Sequence, residues 1–103
     1  MTMMVETERC LRVTVVSDAL HDGARNVAAG ERAADMIFEL LRSAGPSVSG
    51  DWARGEISVL VSAVGSDWKQ CLWCLGALMM AVKSVGGAVD SARVEHEEVP
   101  LAA

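Results

Sequence analysis

The alternation of apolar and polar positions along the chain predicts strands. Residues 10–17 read CLRVTVVS and residues 56–64 read EISVLVSAV, and in both segments every second side chain is apolar. Residues 89–99 form a more polar alternating segment. Because successive side chains of a strand point to opposite faces, a period of two predicts half-buried strands. Residues 48–52 predict a shorter edge strand whose limits are poorly set, because turn-forming residues flank it.

Two other segments carry the period of a helix. In residues 31–44, apolar side chains recur every three or four positions, and charged side chains occupy the other side. Residues 67–85 predict a second helix, in which Asp67 is the N-cap and Gln70 completes a capping box. Residues 18–30 have no clear period, because glycines interrupt them.

The resulting order, β-α-(β)-β-α-β, predicts an α+β fold in a single domain of residues 1–103, with flexible ends at 1–8 and 100–103. The helix ends LRSAGPSV (41–48) and VKSVGGAV (82–89) carry Ser, Gly and Val at matching positions. Chance similarity between two helix ends and a true internal repeat explain this match equally well. A repeat would predict a two-layer ferredoxin-like sandwich, in which two helices cover one face of an antiparallel sheet.

Composition and charge narrow the class of protein. The chain is 51% hydrophobic and carries nine basic and fourteen acidic side chains, which gives a net charge of −5. This excess of acid argues against direct nucleic-acid binding, which needs a basic surface. The longest apolar segment, residues 71–82, is shorter than a membrane span. Without a recognisable export signal, the three cysteines predict reduced thiols, and we expect a cytoplasmic protein that binds no membrane.

The second helix gives the sharpest signal, because it is apolar on nearly every side. One stripe, formed by residues 71, 75, 78, 82 and 85, predicts packing on the sheet. A different stripe has lysines at its ends and large apolar and small side chains between them: Lys69, Trp73, Gly76, Ala77, Met80 and Lys83. Because a two-layer fold leaves nothing to cover this stripe, we expect it to form an interface with a second copy or another protein. The competing interpretation places Trp73 against the first helix or the loop of residues 18–30, inside the subunit.

The charge balance suggests a function for such an interface. Small acidic proteins include inhibitors and immunity-type proteins that bind the basic surface of another protein, where charge speeds the encounter. The candidate acidic partner surface consists of Asp18, Asp22, Asp51, Glu95, Glu97 and Glu98. The sequence therefore favours a non-enzymatic interaction protein, with a homodimer expected.

Enzymatic chemistry is the alternative. His21, close to Ser17 and Asp18, and His96, among glutamates, are weak catalytic candidates in a small homodimeric enzyme or ligand-binding protein of dimeric α/β-barrel architecture. Cys71 and Cys74 form a CxxC pair, but they lie inside a helix between apolar residues, which predicts core thiols rather than a redox pair. We expect no metal site and no cofactor, because no second spaced pair of ligands is present.

Overall fold

The described part of the chain contains four strands and two helices, which confirms the predicted α+β class. The computed structural model describes residues 6–21, 24–63 and 67–100. The elements are β1 (Thr7–Val16), α1 (Ala24–Leu40), β2 (Ser47–Asp51), β3 (Glu56–Ser62), α2 (Asp67–Ser84) and β4 (Ser91–Pro100), with 3₁₀ turns at Asp18–Leu20 and Arg42–Ala44.

The strands form one antiparallel sheet in the order β2-β3-β1-β4. The longest apolar strand, β1, lies inside the sheet, where Val13 pairs with Val59 of β3 and with Val94 of β4. The short strand predicted at residues 48–52 lies at one edge, as expected, and β4 forms the other edge.

One face of the sheet and the inner sides of both helices share a single core. The sheet contributes to this core the alternating residues predicted from the period of two: Leu11, Val13, Val15, Ile57, Val59 and Val61. The helices contribute Ala33, Ile37, Leu41, Cys74, Ala77, Leu78, Ala81 and Val82. Both helices therefore cover the same sheet face, which is compatible with a two-layer sandwich.

The elements extend beyond their predicted limits in two places. β1 begins at Thr7 and β4 ends at Pro100, although apolar side chains do not alternate regularly at these ends. The strands extend this far because they pair with each other along their whole length. α1 begins at Ala24 rather than at residue 31, so that Gly30 lies inside the helix.

Gly30 has a packing role, because the indole of Trp52 lies against it. A Cβ atom at Gly30 would come within 2.8 Å of three ring atoms of Trp52. On the opposite side, a Cβ atom at Gly50 of β2 would also overlap the ring. The indole is thus held between α1 and β2, at a place where neither backbone can carry a side chain.

Gly30→Ala is expected to lower the free energy of unfolding by about 1–3 kcal/mol, because Gly50 blocks the movement that would relieve the clash with Trp52. Gly76→Ala is a matched control, because Gly76 is also inside a helix but has nothing within 4 Å of the added atom. That control is expected to raise the free energy of unfolding by about 0.5–1 kcal/mol. Urea denaturation measures both, and an equal gain in the two variants would contradict the packing of Trp52.

Candidate protein-binding site

Helix α2 has one buried side and one exposed apolar side. Its buried side is centred on Cys74, Leu78 and Val82, which lie in the core. The opposite side is the α2 outer face, and its members are Lys69, Leu72, Trp73, Gly76, Met79, Met80 and Lys83. Trp73 is 43% exposed and Met80 is 59% exposed, so neither is enclosed within the subunit. The face presents large apolar side chains to water, which is typical of interaction sites.

Two grooves flank the centre of this face. The larger, of about 690 Å³, runs between α2 and the segment that leads to β4, and it is lined by Gly76, Met79, Met80, Lys83, Gly87, Ala88 and Val89. The smaller, of about 290 Å³, is lined by Leu40, Leu72, Trp73, Gly76, Ala77 and Met80. Gly76 and Met80 belong to both grooves. Because Gly76 has no side chain, the backbone of α2 is accessible between them.

Positive charge marks both ends of the α2 outer face. Lys69 and Lys83 are the only lysines of the chain, and both are exposed. The Nζ atom of Lys69 lies 5.9 Å from the centroid of the Trp68 ring, near the limit of a cation–π contact. Within residues 6–21, 24–63 and 67–100, neither lysine forms an ion pair with a carboxylate.

The stripe predicted from the sequence coincides largely with this face. Ala77 differs from the other members, because it is only 5% exposed and forms part of the core beneath the smaller groove. Leu72 and Met79 were not predicted, although their separation of seven residues places them on the same side of a helix. Leu40 and Val89 complete the groove walls, and no local signal reveals them because tertiary packing brings them there.

The acidic residues singled out in the sequence are spread over several elements. Glu95 and Glu97 lie on β4 at one edge of the sheet, and Asp51 lies on β2 at the other edge; the two edges are three strand spacings, or about 14 Å, apart. Glu98 accepts a hydrogen bond from Thr7 Oγ1 at 2.8 Å. Asp18 is exposed at the start of a 3₁₀ turn, and Asp22 lies outside the described residues.

The two candidate catalytic histidines are not brought together. His96 is on β4 opposite Leu11, whereas His21 follows the other end of β1, which is about 17 Å from Leu11 along the strand. Both histidines are exposed, and neither lines either of the two grooves.

The sheet face opposite the helices carries a network of ion pairs. Arg12 Nε donates to Glu97 Oε1 at 2.6 Å, and its Nη1 donates to Ser58 Oγ at 3.2 Å. The hydrogen bond from Arg12 lowers the pKa of Glu97. Arg93 is similarly paired with Glu95 and Glu56, at 3.0 and 3.3 Å. Carboxylates therefore neutralise both arginines of this open face.

The three cysteines lie on two sides of the sheet. Cys10 alternates with Leu11 and so belongs to the open face, whereas Cys74 is buried under α2. All three thiols are free, and no group of three or more potential metal ligands occurs in the described part of the chain. Burial, with a smaller effect of Cys71, raises the pKa of Cys74 to about 11. This position of Cys74 fits the predicted core thiol.

Comparisons of the chain with protein families, with curated proteins and with solved structures find no match. Within the described residues, no helix combines the length and the apolar character needed to cross a membrane.

We expect Cys74 to resist alkylation in the native protein. With a pKa of about 11, only about one thiol in a thousand is ionised at pH 8, and the thiolate is the reactive form. Because this pKa is raised on folding, the stabilisation from the buried thiol is complete below the unfolded-state pKa and is lost as the pH rises through about 11.

Mass spectrometry after iodoacetamide treatment, with and without urea, tests this expectation. Alkylation of Cys74 only in urea is the expected result. Rapid alkylation without urea, or a Cys71–Cys74 disulfide formed under mild oxidation, would contradict the assignment as a core thiol.

Proposed function

We propose that this protein is a non-enzymatic interaction module that binds a second copy of itself or another protein through the α2 outer face. The exposure of Trp73 and Met80 at the centre of that face carries the proposal. An inhibitor role remains a prediction from the charge balance.

Most of the free energy of binding would come from apolar contact. Full burial of a large apolar side chain contributes about 1.5–3 kcal/mol, so covering the exposed part of Met80 or Leu72 would contribute roughly 1 kcal/mol each. An exposed ion pair contributes about 0–1 kcal/mol at most. Each lysine at the ends would therefore contribute less to the affinity than the apolar contact, and it would also act on the orientation and rate of binding.

Gly76 adds a second argument for a close partner. A glycine inside a helix costs about 1 kcal/mol relative to alanine, and no described residue lies within 4 Å of the side chain that is missing at this position. A partner that packs against the α2 backbone would require it. Gly30 shows the contrast, because there a neighbouring indole excludes a side chain.

The finer features of fold and location belong to the same proposal. We propose a ferredoxin-like arrangement, because β3 lies between β1 and β2, the two strands that α1 connects. Free thiols at Cys10, Cys71 and Cys74 fit a reducing compartment, which supports a cytoplasmic location.

Replacing Met80 tests the proposed function, because this side chain is exposed and shared by both grooves. Met80→Glu is expected to weaken association at least about tenfold, since it puts an unpaired charge at the centre of an apolar contact. Trp73→Asp is expected to act in the same direction. Phe38→Glu is the matched control, because Phe38 is similarly exposed on α1 but lines neither groove.

The measurements are sedimentation for self-association and affinity capture from the cells that encode the chain, with circular dichroism to check folding. The expected result is a folded Met80→Glu variant that loses the association that Phe38→Glu retains. If folded Met80→Glu keeps the oligomeric state and every captured partner of the original chain, the proposed function is wrong.

A further inference from the structure

We infer that the occupant of the α2 outer face is an amphipathic helix of a different protein, with an apolar stripe between two acidic ends. This inference rests on the proposed function and specifies the partner. Three features of one helix face support it: the two grooves, a glycine with no side chain packed over it, and a lysine at each end.

The shape of the face fits a helix. The grooves lie side by side along α2 and meet at Gly76 and Met80, so they offer a furrow on each side of a central ridge. Side chains spaced three and four residues apart on a partner helix can enter such furrows, which is the usual mode of helix-in-groove recognition. Gly76 allows the two backbones to approach closely at the centre.

Charge selects among possible helices. Lys69 and Lys83 lie about four turns apart, which corresponds to about 21 Å along α2. Both are exposed, and neither is paired with a carboxylate in the described residues. Carboxylates at both ends of the apolar stripe of the partner would form ion pairs with these lysines.

The same lysines disfavour pairing with a second α2. In an antiparallel pair of α2 helices, Lys69 of each copy would face Lys83 of the other, and in a parallel pair each lysine would face its equivalent. Both arrangements place like charges together at both ends of the contact, which opposes association. This arrangement of charges disfavours the symmetric α2–α2 contact, and we therefore take a different chain as the partner.

Two synthetic helical peptides with the same apolar stripe test the inference against the full-length protein. One carries Glu at both ends of the stripe, about four turns apart, and the other carries Lys at the same positions. We expect the Glu-ended peptide to bind at least about tenfold more tightly at low salt, and this ratio to fall towards one in about 0.5 M salt, where surface charges are screened. Fluorescence anisotropy of labelled peptides measures both affinities.

A charge-reversed variant, Lys69→Glu with Lys83→Glu, provides the second arm. It is expected to bind the Lys-ended peptide more tightly and so to reverse the preference. Equal binding of the two peptides, a preference that survives the charge reversal, or no binding of either peptide would overturn the inference.

Met80→Glu separates the failure of the inference from the failure of the proposed function. If both peptides bind equally and Met80→Glu abolishes this binding, only the inference that the partner has acidic ends is overturned. A dimer that Met80→Glu dissociates, with no peptide bound, would identify a second copy as the occupant and would also overturn only the inference. Peptide binding that is unchanged in Met80→Glu would overturn both.

Discussion

The fold depends on the burial of one apolar sheet face under the inner sides of two helices. Because the core lies between only two layers, each helix has a side that no other element covers. α1 meets this constraint mainly with charged residues such as Arg32, Asp35 and Glu39, although Phe38 is also exposed on it. α2 carries large apolar side chains on its exposed side, although both helices pack on the same face of the sheet. This difference between the helices, rather than the fold itself, is the basis for assigning an interaction role.

The open face of the sheet satisfies its own charges. Arg12 and Arg93 are paired with glutamates, and the Thr14 side chain between them is buried. A surface of this kind gains little from a charged partner, because existing ion pairs would have to be broken first. Lys69 and Lys83 differ, because neither is paired with a carboxylate among the residues that the structure describes. Much of the acidic excess on β4 therefore acts within the subunit.

The sequence pattern predicted most of the elements but fewer of the contacts. The periods of β3 and α2 were sufficient, because each element has a continuous apolar side that enters the core. The start of α1 was not predicted, because a glycine such as Gly30 normally indicates the end of a helix. Only the contact with Trp52, which is distant in sequence, explains why a glycine lies inside this helix. The spacing of Trp73 and Met80 placed them on a different side of α2 from the stripe that packs on the sheet, but it left open whether Trp73 is covered within the subunit. The groove walls at Leu40 and Val89 could not be predicted, because they arise from packing between elements.

The long edge strand has a consequence for the behaviour of the protein in solution. β4 exposes ten residues at the border of the sheet, and an uncovered strand edge can recruit further chains into an open-ended assembly. Four of the ten side chains of β4 are charged, and Pro100 at its end lacks a backbone N–H to donate. Charge and proline at this border therefore oppose fibre growth, whereas the apolar α2 outer face lies elsewhere on the molecule.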